Sequence, residues 1–196
     1  MAPLSPNNRP RFAGLIITIL AILIFPLLIG DVTAQANASS EDALKAAFLF
    51  HFAQFTQWPP NAFNDAKAPL VFCTLGEDAF QGELDQILSG QTIGNRPLRA
   101  QHLTQLQGAQ GCHIIFVGAD ETKHIPDFLS SLKDAPVLTV GDSEHFAVDG
   151  GMIGLYLEED KIRFDINLTS VQHAKLTISA KLLALAKTVM GRSKGN

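Results

Sequence analysis

Cysteine, tryptophan and tyrosine are scarce in this chain: its 196 residues hold two, one and one of them. Several chemical signatures are missing altogether. No G-x-G-x-x-G follows a strand-like run, and neither G-x-x-x-x-G-K-[ST] nor G-x-S-x-G occurs, so no phosphate cradle and no exposed serine nucleophile is signalled. The single glycines at Gly76, Gly118 and Gly141 read as plain strand-to-helix turns. His51, His102, His113, His124, His145 and His173 are scattered. No spacing puts two of them on one helical turn or adds a cysteine pair, which excludes the usual zinc patterns. Of the six, His51 sits in the most apolar helical stretch; it reads as a satisfied core histidine and is the one whose titration is worth measuring. Carboxylates form no placed acid and base pair: Glu158-Glu159-Asp160 reads as a solvated turn, and Asp142 and Glu144 sit where a helix start favours negative charge. Lys and Arg total 15 against 19 acidic residues, a formal charge of -4, with no basic stripe or polybasic cluster. Nucleic acid is thereby excluded as an expected partner. Internal repeats and low-complexity segments are also absent.

What is present begins with an export signal. Arg9 and Arg11 form a basic n-region, Phe12 to Ile29 is apolar apart from Thr18 and Pro26, and Val32-Thr33-Ala34 is a small-x-small cleavage site. Residues 1–34 are therefore read as a signal peptide, with the mature chain starting near Gln35 and Ala36-Asn37-Ala38 as a second possible site. An uncleaved membrane anchor is the rival reading, since the apolar run nearly suffices to span a bilayer. Pro26 and Gly30 ahead of the site, and the lack of a second apolar span, favour cleavage and a periplasmic protein. Removing Arg9, Arg11 and Asp31 takes the formal charge from -4 to -5. About 160 residues remain, enough for one domain with a core of its own.

Residues 35–42 are expected to be a linker and helix cap, in which Ser39-Ser40-Glu41-Asp42 supplies the capping oxygen and the first-turn acid. The domain itself is read as 43–191, with 192–196 a disordered tail. Ala43 to Trp58 is an aromatic-loaded helix stopped by Pro59-Pro60, with Leu44, Phe48, Phe52 and Phe55 on one face and Leu49, Phe50 and Ala53 widening it. Trp58 is expected to pack on the sheet.

Strand and helix then alternate. Leu70–Leu75, Cys112–Val117 and Val137–Val140 are apolar runs of the kind covered on both faces, and Pro97–His102 is a weaker strand. Helices are expected from Gly76-Glu77-Asp78 to about Leu88 and over Ile125–Leu132. This order points to a mostly parallel sheet between helical layers, joined by right-handed crossovers. Met152–Glu158 and Lys161–Asn167, separated by Glu159-Asp160, read as a β-hairpin in the same sheet. Its second run puts Ile162, Phe164 and Ile166 on the buried side and Lys161, Arg163, Asp165 and Asn167 on the other. Ser179–Met190 reads as a closing amphipathic helix carrying Leu182, Leu183, Leu185 and Ala186. The fold class is α/β, a single three-layer domain.

Five pieces in order carry a resemblance. K-A-A-F-L-F-H-F-A-Q-F-T-Q-W-P at Lys45 to Pro59, Cys73, Gly111-Cys112 with I-I-F-V, Gly150-Gly151-Met152-Ile153, and I-R-F-D-I-N-L followed by I-S-A-K-L-L-A-L-A resemble the YfiR family over essentially the whole mature chain. The resemblance implies a periplasmic α/β binding protein that holds an inner-membrane diguanylate cyclase inactive through the cyclase's periplasmic sensor region. It further implies sequestration by an OmpA-like outer-membrane lipoprotein, and homodimerisation. Some members carry a second cysteine pair around the segment corresponding to Phe146–Gly154; this sequence has no cysteine there. In an oxidising compartment, two cysteines in neighbouring strand-forming runs are expected to bond, and Gly111 relieves crowding beside the second. A Cys73–Cys112 disulfide is therefore expected, either as a staple or as a redox switch whose reduction releases a partner.

Two functions fit these observations. One is a regulator that represses a diguanylate cyclase by protein contact, lowering cyclic di-GMP, with no cofactor and no enzymatic activity. Its expected contact residues are Arg163 and Asp165, taken to project from the solvated face of an edge strand. The other is a small-molecule receptor with its ligand at the carboxyl ends of the strands near Gly76, Gly118 or Gly141.

Overall fold

The computed structural model describes residues 30–76, 80, 82–132 and 134–191. The chain divides into two compact units, 1–38 and 39–196. Of the first, only residues 30–38 are described, and they are helical. The expected signal peptide falls largely on residues outside the described ones, as does the expected tail at 192–196. Among the described residues no helix is long and apolar enough to cross a membrane.

Eight strands form one mixed sheet in the second unit. Helix α1 spans Gly30–Gln54. Strand β2 (Leu70–Leu75) sits centrally, paired in parallel with β4 (Arg96–Leu103) on one side and β5 (Ile114–Val117) on the other. Beyond β5 lie β6 (Leu138–Gly141) and β7 (Ile153–Glu158), both parallel to their predecessors, then β8 (Lys161–Asn167), antiparallel to β7. The short β3 (Thr92–Ile93) pairs antiparallel with β4 at one margin, and β10 (Thr188–Met190) pairs parallel with β8 at the other. Two further short strands, β1 (Thr56–Gln57) and β9 (Thr177–Ile178), form a separate antiparallel pair. Helices α2 (Glu83–Leu88), α3 (Ile125–Ser131), α4 (Leu168–His173) and α5 (Ala180–Leu185) complete the fold. The three-layer α/β arrangement expected from the alternating pattern is present.

The apolar runs explain the layers. Successive strand side chains point to opposite faces, so Leu70 and Phe72 of β2 join Ile114 and Phe116 of β5 on one side, with Leu49 and Phe52 of α1. Val71, Cys73 and Leu75 join Ile115 and Val117 on the other side, with Ile125 and Phe128 of α3. A strand covered on both faces has no room for polar alternation, which is why these strands were legible as continuous apolar stretches. At the β7–β8 turn, Glu159 and Asp160 both take positive φ, 49° and 58°, as a two-residue hairpin with the right-handed strand twist requires.

Several boundaries differ from expectation. Helix α1 already includes Ser39–Asp42, so these residues lie within it and do not cap it; Glu41 instead pairs with Lys45 one turn on, at 2.7 Å. The helix also stops at Gln54, short of the prolines. Thr56 turns its hydroxyl back to the Phe52 carbonyl at 2.7 Å, while Ser179 N–H donates to the Phe55 carbonyl at 2.9 Å, so the chain leaves the helix to build β1. Its buried face is rotated from the one expected: Lys45, Ala46, Leu49, Phe52 and Ala53 are buried, and Leu44 is 48% exposed. Helix α2 begins only at Glu83, after Gly82 in the left-handed region. At the C-terminus α5 ends at Leu185, and β-branched Thr188 and Val189 extend into β10. Strand β8 is consequently not the edge strand, although β10 covers only its Asp165–Asn167 half.

Candidate functional site

A groove of about 510 Å³ opens where that cover ends. Its apolar floor is Phe48 from α1, Ile162 and Phe164 from β8, and Leu185 at the end of α5. The three phenylalanines Phe48, Phe52 and Phe164 form an aromatic cluster with centroid separations of 5.0 to 6.1 Å, so the floor is a rigid extension of the core. Leu185 is 70% exposed at the groove mouth. The rim is charged. Glu158, at the end of β7, accepts a hydrogen bond from Lys187 and lies 3.8 Å from Arg163 Nε. The Lys187 hydrogen bond holds the Glu158 carboxyl below its usual range and raises the Lys187 ammonium above its own. Two cations thus share one carboxylate.

Arg163 stands on the rim of this groove, on a strand that is not the edge strand it was expected to be. Asp165 lies farther along β8 opposite Thr188 and accepts a hydrogen bond from the Tyr156 hydroxyl at 3.2 Å. It does not line the groove. Burial, with the adjacent Asp165 carboxylate, raises the Tyr156 hydroxyl's pKa.

At the carboxyl ends of the parallel strands the end of β6 is covered, beside an opening of about 340 Å³ lined by Ile125, Pro126, Ser143, Phe146 and Asp149. The Phe146 ring covers the backbone of Gly141 and Gly151 so closely that a Cβ at either would lie 2.1 or 2.2 Å from it. Beside it, Lys45 reaches from α1 to Asp142 at 2.8 Å. Burial disfavours the Lys45 charge, yet its hydrogen bonds to Asp142 and Glu41 outweigh that and raise its pKa. This buried pair was missed in the sequence because its partners lie 97 positions apart.

His113 proves to be the histidine of consequence, whereas His51 is exposed. The His113 ring stacks on Phe63 at 4.4 Å, and the Arg96 guanidinium covers the other side of Phe63 at 3.5 Å. Val71 N–H donates to Nδ1 at 3.1 Å, so Nε2 carries the proton given to the Ala62 carbonyl, also at 3.1 Å. Burial, followed by the nearby Arg96 charge, lowers its pKa. Trp58 Nε1–H donates to the His113 carbonyl at 3.1 Å, which packs the lone tryptophan against the sheet as expected.

Cys73 and Cys112 form the expected disulfide with Cα atoms 5.8 Å apart, both sulfurs buried in the core layer beneath α3. The Thr74 hydroxyl is 2.8 Å from His102 Nδ1, while His102 Nε2 is 3.2 Å from Asp85. This is the connectivity of a hydroxyl–imidazole–carboxylate relay, but Thr74 is 1% exposed and presents no nucleophile to a substrate. The contact instead ties β2, β4 and α2 together. Among the described residues no group of three or more His, Cys, Asp or Glu side chains is placed to hold a metal ion.

A three-layer α/β sheet with an apolar, charge-rimmed groove at one margin defines the class of molecule. The chain belongs to the YfiR/HmsC-like family, whose model matches residues 42–187. At family level, membership carries a role in regulating diguanylate cyclase signalling from the periplasm. Among curated proteins none matches. Two solved structures resemble the fold. A conserved domain protein from Vibrio cholerae O1 biovar El Tor is 12% identical, with a TM-score of 0.44 over 61% of this chain and 54% of that one. The ABC domain in complex with L-Trp from Streptococcus pneumoniae is 11% identical, with a TM-score of 0.50 over 74% of this chain and 60% of its own length. The chain thus spans little more than half the length of either.

Proposed function

We propose that this protein represses an inner-membrane diguanylate cyclase by binding the cyclase's periplasmic sensor region, and that the groove between Phe48, Ile162, Phe164 and Leu185 is the contact. The supporting observation is a rigid aromatic floor left open to solvent beside a cation-rich rim, in a member of a regulatory family. Arg163 belongs to this contact; Asp165 serves it by positioning Tyr156 and β10. An OmpA-like outer-membrane lipoprotein would compete for the same protein, and homodimerisation would present two grooves. No reaction is catalysed, and no cofactor is used. A receptor site at the carboxyl ends of the strands is less well supported, because Phe146 and the Lys45–Asp142 pair occupy the end of β6.

Deleting the gene and measuring cyclic di-GMP tests the function: a rise is expected, and an unchanged level refutes it. Complementation with Leu185→Asp should fail to restore the low level while the melting temperature stays within a few degrees, since the side chain contributes little to the core. Full complementation by that variant would remove the groove from the contact.

A further inference from the structure

The groove is bounded by exposed backbone as well as by side chains. In a two-residue hairpin closed by Glu158 and Lys161, strand residues alternate between pairs that exchange hydrogen bonds and pairs that do not. Lys161, Arg163 and Asp165 direct their peptide groups toward β7. Ile162, Phe164 and Ile166 therefore direct theirs toward the sheet margin. Two contacts agree with this phase: Asn167 N–H donates inward to Met152, and Lys187 N–H donates to the Phe164 carbonyl from outside, at 2.8 and 2.9 Å. Pairing with β10 runs only from Asp165 onward, so the next outward-facing peptide groups, those of Ile162, face the groove.

Resting on the reading of this protein as a protein-binding regulator, we propose that the groove takes an extended segment of the partner as an added strand beside Lys161–Arg163, continuing the line of β10. Strand addition of this kind gains affinity from main-chain hydrogen bonds and specificity from pockets for alternate side chains. The two faces of the margin specify those side chains. One residue of the segment meets the floor of Phe48, Ile162 and Phe164 and is apolar. Its neighbour turns to the opposite face, where Lys187 and Arg163 share a single carboxylate, and is acidic. The other exposed margin does not offer this. Strand β4 has Arg96, Pro97 and Arg99 along it, and its His102 is tied to Asp85 of α2, devices that blunt an edge.

The test uses the full exported protein and the purified periplasmic sensor region of an inner-membrane diguanylate cyclase from the same organism. Ile162→Pro removes the outward N–H at a strand position where proline is tolerated, and Ile162→Ala is its control for the lost side chain. Binding should weaken at least tenfold more in Ile162→Pro than in Ile162→Ala, and about tenfold in Lys187→Glu. In the wild-type protein, hydrogen exchange at the Ile162 amide should slow on complex formation, a readout independent of any variant's folding. Equal binding by the two Ile162 variants, or unchanged exchange at Ile162 in a complex that forms, overturns strand addition while leaving the regulator reading intact. A self-associated wild-type protein that Ile162→Pro dissociates in sedimentation overturns it in favour of a second copy as occupant. Absence of binding together with unchanged cyclic di-GMP on gene deletion removes both.

Discussion

Removing the Cys73–Cys112 bridge should lower stability by about 4 kcal/mol. The two residues are 39 positions apart, and in the chain-entropy model closing a loop of that length restricts the unfolded chain by roughly this amount. The enclosed segment contains the second half of β2, all of α2, β3 and β4, and the turn leading to β5, so without the bridge the pairing of β2 with β4 and of β4 with β3 must be achieved against a freer chain. Reduction of the wild-type protein in urea, followed by refolding with reductant present, isolates this effect because both sulfurs remain in the core. Cys73→Ala with Cys112→Ala should cost on the order of 1–2 kcal/mol more, since truncating buried groups leaves a cavity. With a urea slope of about 2 kcal/mol/M, the midpoint of the reduced protein should fall by roughly 2 M. A fall smaller than about 0.5 M would show that the bridge does not restrain the unfolded chain as argued. The same double variant, assayed for cyclic di-GMP at a temperature where it remains folded, separates staple from switch. Normal repression is expected, because both cysteines are buried away from the groove, and lost repression in the folded variant would restore the redox reading.

Acidification is expected to destabilise the fold through His113. Its folded pKa is lowered by burial, so the unfolded chain binds more protons; the stability it contributes is complete above about pH 6.5 and is lost as pH falls toward the folded value, with a slope of at most about 1.4 kcal/mol per pH unit. Urea melts between pH 7.5 and 5 should show this slope in the wild type and a flatter one in His113→Ala, and equal slopes would refute the assignment. Asp142→Ala should cost roughly 2 kcal/mol, less than the 3–5 for a fully buried pair because Glu41 still holds Lys45; thermal melts would reveal it, and an unchanged midpoint would count against the pair. Gly141→Ala should destabilise by about 1–3 kcal/mol or more, since its Cβ would meet the Phe146 ring at 2.1 Å, and a variant as stable as wild type would mean that the ring gives way freely.

Most of the sheet was legible because buried strands announce themselves. Leu70–Leu75 and Ile114–Val117 are buried at every position and apolar at all but Thr74, and no helical periodicity competes with that pattern. The hairpin was equally plain, since Glu159-Asp160 separates two strand-forming runs. What escaped was decided by partners distant in sequence. The Leu-Leu-Ala-Leu-Ala-Lys run favours helix locally, and only β8, some twenty residues earlier in the chain, draws Thr188–Met190 into β10. Helix α1 stops early partly for the same reason: the distant Ser179 takes the carbonyl of Phe55 just past its end, while the nearby Thr56 takes that of Phe52. Nothing beside Lys45 in the sequence forecast its pairing with Asp142, 97 positions away. The groove could not be read at all, as its floor joins Phe48 to Ile162 and Leu185, and Arg163 was singled out as projecting from an edge strand, which β8 is not.

The brevity of the two outermost strands bears on how this protein survives crowding. With three residues in β10 and two in β3, neither outermost strand is long enough to template a second sheet by itself, and the open peptide groups of the margins lie at Lys161–Arg163 and along β4 beyond Pro97. End-on-end polymerisation of the eight-stranded sheet is thereby limited to those stretches, the second of them blunted by Arg99 and by the His102–Asp85 pair.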